Sequence, residues 1–294
     1  MRHCRVASII ALMVVIPVLT PGPAFGQLFF PRDTPKFPQA RTWLAQKAKL
    51  PPYSPPRTPD GQPDLQGVWS GPVGGGNDDI EEHEYVDMTT PPQESYISEP
   101  ADGKVPYTPW ALAKRNEIRA GLGRGWPGES GERLYADPTS FCLNSMPRIS
   151  FGPQEIVQKP DSVIMLSANG ARVIPTDGRP RLGPGATSWL GTSRGRWEGD
   201  TLVVETSNFS PKSDFMGAHE NLQLTERFTR TGPDVLEYQL TVNDPTTWTA
   251  PWTAMIPLKL KNELIYEYAC HEGNYGMVNL LRGARTKETE TPPK

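Results

Sequence analysis

Cysteine is scarce in this 294-residue chain, which has three cysteines, Cys4, Cys142 and Cys270. Three are too few for a cysteine-rich zinc site or for a small scaffold held by several disulfides. The zinc motif H-E-x-x-H is also absent, because His219 and His271, each followed by Glu, have no second histidine four residues on. The sequence therefore predicts no metal site.

The chain has no excess of basic charge and no nucleotide-binding motif. Lys and Arg number 30 against 33 Asp and Glu, a net charge of −3. Without a basic stripe, nucleic acid is a poor candidate partner. No glycine-rich phosphate loop or dinucleotide fingerprint is present, so we predict no cofactor. The absence of internal repeats of about 20–50 residues argues against propellers and solenoids.

A long apolar run occurs only at the N terminus. Arg2 and Arg5 precede the apolar run Val6–Val18, and Ala24-Phe25-Gly26 is a plausible cleavage site. A run of this length is too short for a comfortable membrane span but typical of a secretory signal. We predict that residues 1–26 are a signal peptide, that the protein is periplasmic or secreted, and that it has no stable membrane insertion.

Loss of the signal peptide would leave Cys142 and Cys270 in an oxidising compartment. Two cysteines in such a compartment indicate one disulfide. Two buried free thiols are the alternative interpretation.

From about Gln154 to Gly276 the chain has the alternation and the turns of an antiparallel β-meander. Asn169-Gly170 is the strongest hairpin signal in it. The predicted strands include Ser162–Ala168, Arg172–Thr176, Gly195–Trp197, Thr201–Thr206, Leu222–Arg230, Val235–Val242 and Leu264–Glu272. Every second residue of Val235–Val242 is apolar, which predicts a sheet with one dry face and one wet face. We predict a mainly β fold of about eight strands that closes as a lipocalin-like barrel with room for one small ligand.

The N-terminal half is irregular. Residues 27–63 are proline-rich and predict an extended arm with one amphipathic helix candidate, Ala40–Leu50. We predict that residues 64–294 form a single barrel domain, which begins with the strand Asp64–Ser70 and carries an irregular insertion at 71–150.

One helix is predicted within that insertion, from Pro109 to Ala120. Thr108 can cap it, Pro109 suits its first position, and Gly121 ends it. The acidic loop Asp78–Glu84 lacks the spacing of a calcium loop, and we interpret it as solvated.

Several runs together resemble a family of secreted bacterial proteins whose activity is uncharacterised. They are Thr58-Pro-Asp-Gly-Gln-Pro-Asp-Leu-Gln-Gly-Val-Trp69, Gly195-Arg-Trp-Glu-Gly-Asp-Thr-Leu-Val-Val204 and Ala269-Cys-His-Glu-Gly-Asn-Tyr275. Gly67-Val68-Trp69 also resembles the Gly-x-Trp start of lipocalin barrels. These resemblances imply secretion and a barrel, and they bring no established reaction.

Four residues are candidates for acid–base chemistry. His219 and His271 are each followed by a carboxylate that can tune the proton affinity of the ring, and His271 adjoins Cys270. Glu226 shares a face with apolar residues of its strand, where a carboxylate must be paired or have a raised pKa. We predict His219 or His271 as base and Glu226 or Glu272 as acid or orienting group. Structural histidines bonded to backbone carbonyls are the alternative.

Tryptophan supplies the candidate ligand contacts. Trp189, Trp197, Trp248 and Trp252 can stack on sugar rings or enclose apolar groups. The alternative is that they form the core. Ser193 lies in a G-x-S-x-G match, but a strand rather than a helix is predicted after it, which favours a glycine-rich turn over a nucleophile.

The sequence predicts a secreted barrel, monomeric or weakly associating, that binds a small amphipathic or sugar-like molecule. Cofactor-independent catalysis of the lyase, isomerase or hydrolase type can accompany binding, and whether the protein is an enzyme stays open. A non-catalytic structural or envelope-interaction module, docking through the proline-rich arm, is the second interpretation.

Overall fold

A single antiparallel sheet dominates the computed structural model, which describes residues 31–71, 80–85, 91–122, 154–167, 170–213, 215–267 and 269–290. The sheet has ten strands: β1 (Gly67–Ser70), β2 (Ile97–Glu99), β3 (Gln154–Lys159), β4 (Ser162–Ser167), β5 (Gly170–Pro175), β6 (Thr192–Glu198), β7 (Thr201–Ser207), β8 (Gln223–Gly232), β9 (Val235–Asn243) and β10 (Trp252–Lys261). The helices are α1 (Ala40–Lys47), α2 (Pro109–Leu122) and α3 (Tyr275–Glu290). The predicted mainly β, antiparallel fold is confirmed.

The strands follow one another as in a meander, except that β1 lies between β3 and β10. Strands β6 to β10 lie side by side in chain order, and β1 pairs with β10. Strands β3, β4 and β5 continue the sheet beyond β1, so that the order is β5-β4-β3-β1-β10-β9-β8-β7-β6. Strand β2 pairs with the start of β10, beside this path. In the described part of the chain, every pairing between strands of the sheet is antiparallel.

One face of the sheet carries the hydrophobic core, and we call it the inner face. Alternate residues of each strand point to it, as the two-residue period of a strand dictates. On β9 these residues are Leu236, Tyr238, Leu240 and Val242, all of them buried. Strand β10 adds Trp252, Ala254, Ile256 and Leu258 to the same core. The dry face predicted for Val235–Val242 is thus the inner face.

The two edge strands, β5 and β6, meet through side chains. Among the described residues no hydrogen-bonded ladder joins them, so the sheet is not closed and the barrel stays a prediction. Arg172 on β5 nevertheless donates hydrogen bonds to Ser193 on β6. A Cβ atom added at Gly195 on β6 would lie 2.9 Å from Thr176 Cγ2 and 3.0 Å from Ile174 Cγ2. Glycine at this position therefore lets β5 and β6 approach closely.

Helix α1 covers part of the opposite, outer face. Ala40 and Trp43 pack with Val235 and Met255 in a small second core. Glu237 on β9 is 3% exposed and accepts hydrogen bonds from Trp43 Nε1 at 2.7 Å and from Lys47 Nζ at 2.8 Å. The proline-rich segment is thus held on the sheet by its one helix.

Most local predictions agree with the structure. Helix α2 begins at Pro109 as predicted, and α1 lies within the predicted Ala40–Leu50 segment. Strands β4, β7, β8 and β9 lie within about two residues of their predicted limits. Asn169, the predicted hairpin residue, lies outside the described part of the chain. None of the helices in the described part is long and apolar enough to span a membrane.

The predicted strand Leu264–Glu272 is wrong. The described residues of this segment, 264–267 and 269–272, form no strand, and Leu264 and Tyr266 are 73% and 75% exposed. Strand β10 already occupies the position between β9 and β1, so the segment with Leu264 and Tyr266 cannot add a strand there. The chain instead continues into helix α3, which the sequence analysis did not predict.

The contact between β5 and β6 can be tested at Gly195. We expect Gly195→Ala to lower the free energy of unfolding by about 1–3 kcal/mol, because the β-branched side chains that it would touch are stiff. Gly183→Ala is the matched control, since its added Cβ would have no atom within 4 Å. Denaturant unfolding of the two variants measures the difference. Equal stabilities would contradict the close approach of β5 and β6.

Candidate functional site

The inner face has one polar cluster, formed where the two edges of the sheet meet. We use the name polar cluster for Arg172, Ser193, Thr206, Glu226 and Tyr238, which come from five different strands. Apolar residues of the core surround these side chains along the same strands. The cluster is thus a set of convergent polar groups in an apolar setting.

Arg172 is the centre of the polar cluster. Its Nη1 atom lies 3.0 Å from Glu226 Oε1 and its Nη2 atom 2.5 Å from Glu226 Oε2, which makes a bidentate ion pair. Nη2 also lies 2.7 Å from Thr206 Oγ1, and Nε lies 3.1 Å from Ser193 Oγ. The side chains of Arg172 and Glu226 are 14% and 3% exposed. One arginine from β5 therefore binds residues of β6, β7 and β8.

Strand alternation explains how the other members reach Arg172. Glu226 follows Leu224 and precedes Phe228 on the inner face of β8, as predicted. Tyr238 on β9 stacks on Phe228, with ring centroids 4.8 Å apart. From there the Tyr238 hydroxyl donates a hydrogen bond to Glu226 Oε1 at 3.1 Å.

Burial and the ion pair act on the protonation of the cluster. Burial opposes the charge on Arg172, but the charge and hydrogen bonds of Glu226 more than offset it and raise the pKa of Arg172. Burial raises the pKa of Tyr238 well above its ordinary value, and the negative charge of Glu226 raises it further. The cluster thus holds a guanidinium cation beside a phenol that keeps its proton.

A second feature of the core is an aromatic group, by which we mean Phe215, Trp248 and Trp252. The two indoles are in edge contact with centroids 5.7 Å apart, and Phe215 lies 6.3 and 6.4 Å from them. Trp248 and Trp252 are 1% and 0% exposed. The Nε1 atom of each indole is buried and has no hydrogen-bond acceptor among the described residues. Both predicted ligand contacts are thus core residues with an unused donor.

The predicted acid–base residues are spread over the molecule. His219 lies in the connection between β7 and β8, is exposed, and is hydrogen-bonded through Nδ1 to the backbone oxygen of Ser213. His271 and Glu272 are exposed in the turn before α3. In the described part of the chain, neither histidine is a hydrogen-bond partner of Glu226. Their catalytic roles stay predictions.

The remaining predicted residues are Trp189, Trp197 and the two cysteines. Trp197 on β6 is partly buried and packs against the core, and Trp189 is partly buried in the segment before β6. Cys142 lies outside the described residues, so its pairing with Cys270 stays a prediction. No group of three or more metal-ligating side chains occurs among the residues that the structure describes.

Ser193, the serine of the G-x-S-x-G match, lies on strand β6 rather than on a strand–helix turn. Its Oγ atom accepts hydrogen bonds from Arg172 and lies 2.9 Å from Thr206 Oγ1. Among its described partners there is no histidine that could take its proton. Ser193 is a hydrogen-bonding member of the polar cluster.

The sequence analysis identified Glu226 but missed Arg172, Thr206 and Tyr238. A signal was present for two of them. Arg172 and Ile174 alternate onto one face of β5, and Tyr238 lies between Leu236 and Leu240 on the dry face of β9. Strand alternation alone does not say which distant strand supplies the partner of a buried charge.

Comparison with known proteins found no matching family model, no matching curated protein and no matching solved structure.

The ion pair can be tested by a double-mutant cycle. We expect Arg172→Met alone and Glu226→Leu alone each to cost about 3–5 kcal/mol of stability, because each leaves one charge buried without its partner. The double variant Arg172→Met/Glu226→Leu should lose much less than the sum of the two. Denaturant unfolding measures all three, with the exposed Arg227–Glu198 pair as the control, whose removal should cost under about 1 kcal/mol. Additive losses at positions 172 and 226 would contradict the pairing.

The raised pKa of Tyr238 predicts an alkaline loss of stability. A group whose pKa is higher in the folded than in the unfolded protein stabilises the fold below its unfolded pKa, and this contribution is lost as the pH rises. Between pH 9 and pH 11 we expect the wild type to lose roughly 1 kcal/mol more than Tyr238→Phe. Unfolding measured across this range, with Tyr266→Phe at an exposed tyrosine as control, tests it. A loss that is the same in wild type and Tyr238→Phe would refute this assignment.

Proposed function

We propose that the protein binds one small amphipathic or sugar-like molecule on the inner face of its sheet, with the polar end of the ligand at the polar cluster. The observation that carries this proposal is the bidentate Arg172–Glu226 pair, 14% and 3% exposed, within an apolar core. The apolar part of the ligand would lie against the surrounding aliphatic and aromatic side chains.

The energetics of buried charges support this proposal. An ion pair in an apolar interior usually stabilises a fold no better than well-packed apolar residues of the same volume. Perturbed titratable groups also concentrate at functional sites, as the shifted pKa values of Arg172 and Tyr238 illustrate. A few convergent polar groups in an apolar cavity are the usual pattern of a small-molecule site.

Acid–base catalysis remains a hypothesis attached to this site. Glu226 is the one predicted catalytic residue that belongs to the polar cluster. His219, His271 and Glu272 are exposed, and a substrate bridging them to Glu226 would have to extend beyond the core. A lyase, isomerase or hydrolase activity is best sought with the molecules that bind.

We infer the setting of this function from the sequence patterns. Export to the periplasm or the medium follows from the pattern of residues 1–26, and a Cys142–Cys270 disulfide suits that compartment. The side-chain contact between β5 and β6 supports a barrel-like enclosure. We also propose that the protein binds its ligand as a monomer. We further propose that it belongs to the secreted bacterial family that shares the Gly195–Val204 run.

A structural or envelope-interaction module is the second candidate. It is favoured by large side chains in the C-terminal part of the chain, since Leu264, Tyr266 and Tyr275 are each more than 70% exposed. Exposed apolar surface of this kind often marks an interaction site. Ala40 and Trp43 of α1, by contrast, are buried against the sheet, so the arm has fewer apolar residues left for docking.

A ligand screen by thermal shift tests the proposed function. The panel contains sugars, terpenoids, aromatics and alkyl amphipaths, and a ligand at a hundredfold excess over its dissociation constant should stabilise the protein by about 2.7 kcal/mol. We expect the stabilisation to be lost in Arg172→Met/Glu226→Leu and kept in Glu198→Gln, which alters an exposed carboxylate on the outer face. If nothing stabilises the protein, or if the double variant binds as well as the wild type, the structural module becomes the better interpretation.

A further inference from the structure

The polar cluster is already neutral without a ligand. Arg172 carries one positive charge, and its bidentate partner Glu226 carries one negative charge. Ser193, Thr206 and Tyr238 add hydroxyl groups without charge, and the raised pKa of Tyr238 keeps its phenol protonated. An anionic ligand would therefore leave a net negative charge in the core, where an uncompensated charge is costly. A neutral ligand would add no charge.

Part of the unused hydrogen-bonding capacity of the polar cluster consists of donors. An arginine Nη1 atom carries two hydrogens, and that of Arg172 has Glu226 Oε1 as its one acceptor in the described part of the chain. Ser193 and Thr206 each have one hydroxyl hydrogen, and both oxygens already accept from Arg172. Only one of these two hydrogens can serve the bond between the hydroxyls. One N–H and one O–H are left over.

Unused donors also occur in the aromatic group. Trp248 Nε1 and Trp252 Nε1 are buried without an acceptor among the described residues. The strand register aligns one row of inner-face residues: Ser193, Thr206, Leu224, Val242 and Trp252. Trp252 therefore lies at the same level of the sheet as the two hydroxyls of the polar cluster. A buried donor without an acceptor is costly, so such groups call for an explanation.

We propose that the ligand is an uncharged carbonyl compound, a ketone or an ester, whose carbonyl oxygen accepts hydrogen bonds from the spare donors of the polar cluster or of the aromatic group. The inference rests on the proposed function and narrows it from amphipathic molecules in general to one chemical class. A carbonyl oxygen supplies two lone pairs without charge, which suits the spare donors and the neutrality of the Arg172–Glu226 pair. A carboxylate of the same chain length would also supply acceptors, but no cation in the polar cluster would be left to neutralise its negative charge.

Matched ligand pairs provide the test. The probes are straight-chain 2-ketones and alkanoates of equal carbon number, from eight to sixteen carbons, titrated at pH 8 into the purified protein by calorimetry. We expect the ketone of at least one pair to bind ten times or more tightly than its carboxylate. Glu226→Gln makes the cluster positive and should reverse this order, whereas Glu198→Gln at an exposed outer-face pair should leave it unchanged.

Proton uptake gives a second readout that needs no variant. Ketone titrations in two buffers of different ionisation enthalpy should give the same heat, because a neutral ligand requires no protonation of the cluster. A carboxylate that binds the wild type at least as tightly as its ketone would overturn the inference while leaving the proposed function standing. Binding of neither class, together with a negative ligand screen, would overturn both.

Discussion

The ion pair between Arg172 and Glu226 is the interaction on which the rest of the structure depends. The two residues are 54 positions apart and lie on β5 and β8, so the pair crosses the place where the sheet has no ladder among its described strands. Hydrogen bonds from the same guanidinium to Ser193 and Thr206 bind the two intervening strands. Removing charges from water is costly, and the bidentate geometry together with these extra bonds is what offsets the cost.

A second buried carboxylate plays a corresponding part on the outer face. Glu237 follows Glu226 by one strand and points to the opposite side of the sheet, where Trp43 and Lys47 of α1 reach it. These two partners on α1 are 194 and 190 positions away in the chain. Glu226 thus links the two edges of the sheet, and Glu237 attaches the N-terminal segment to the outer face. Both do so through partners that are distant in sequence.

The character of the candidate site follows from this arrangement. Because Glu226 is needed to neutralise Arg172, the cation is not free to act as an anchor for an anion. What remains available is hydrogen bonding, and the spare groups on the inner face include donors on Arg172, the paired hydroxyls and the two indoles. The fold therefore couples the side-chain contact between β5 and β6 to the kind of ligand that the proposed site would accept.

Local interactions let the sequence by itself determine much of this protein. Alternation places Glu226 and Tyr238 on the dry faces of β8 and β9, and Pro109 after Thr108 marks the start of α2. These features depend on residues a few positions apart, which is why a pattern can reveal them. The same local alternation failed at Leu264 and Tyr266, because β10 already pairs with both β9 and β1.

The tertiary structure alone decided which strands meet and therefore which side chains pair. Nothing near Glu226 in the sequence identifies Arg172 as its partner, and nothing near Glu237 identifies Trp43. Such pairs depend on the order of strands and on how the edges of the sheet approach, both of which are settled by packing of the whole core. The sequence by itself determined that the sheet has a dry face bearing a carboxylate, and the long-range packing decided that this carboxylate would be neutralised.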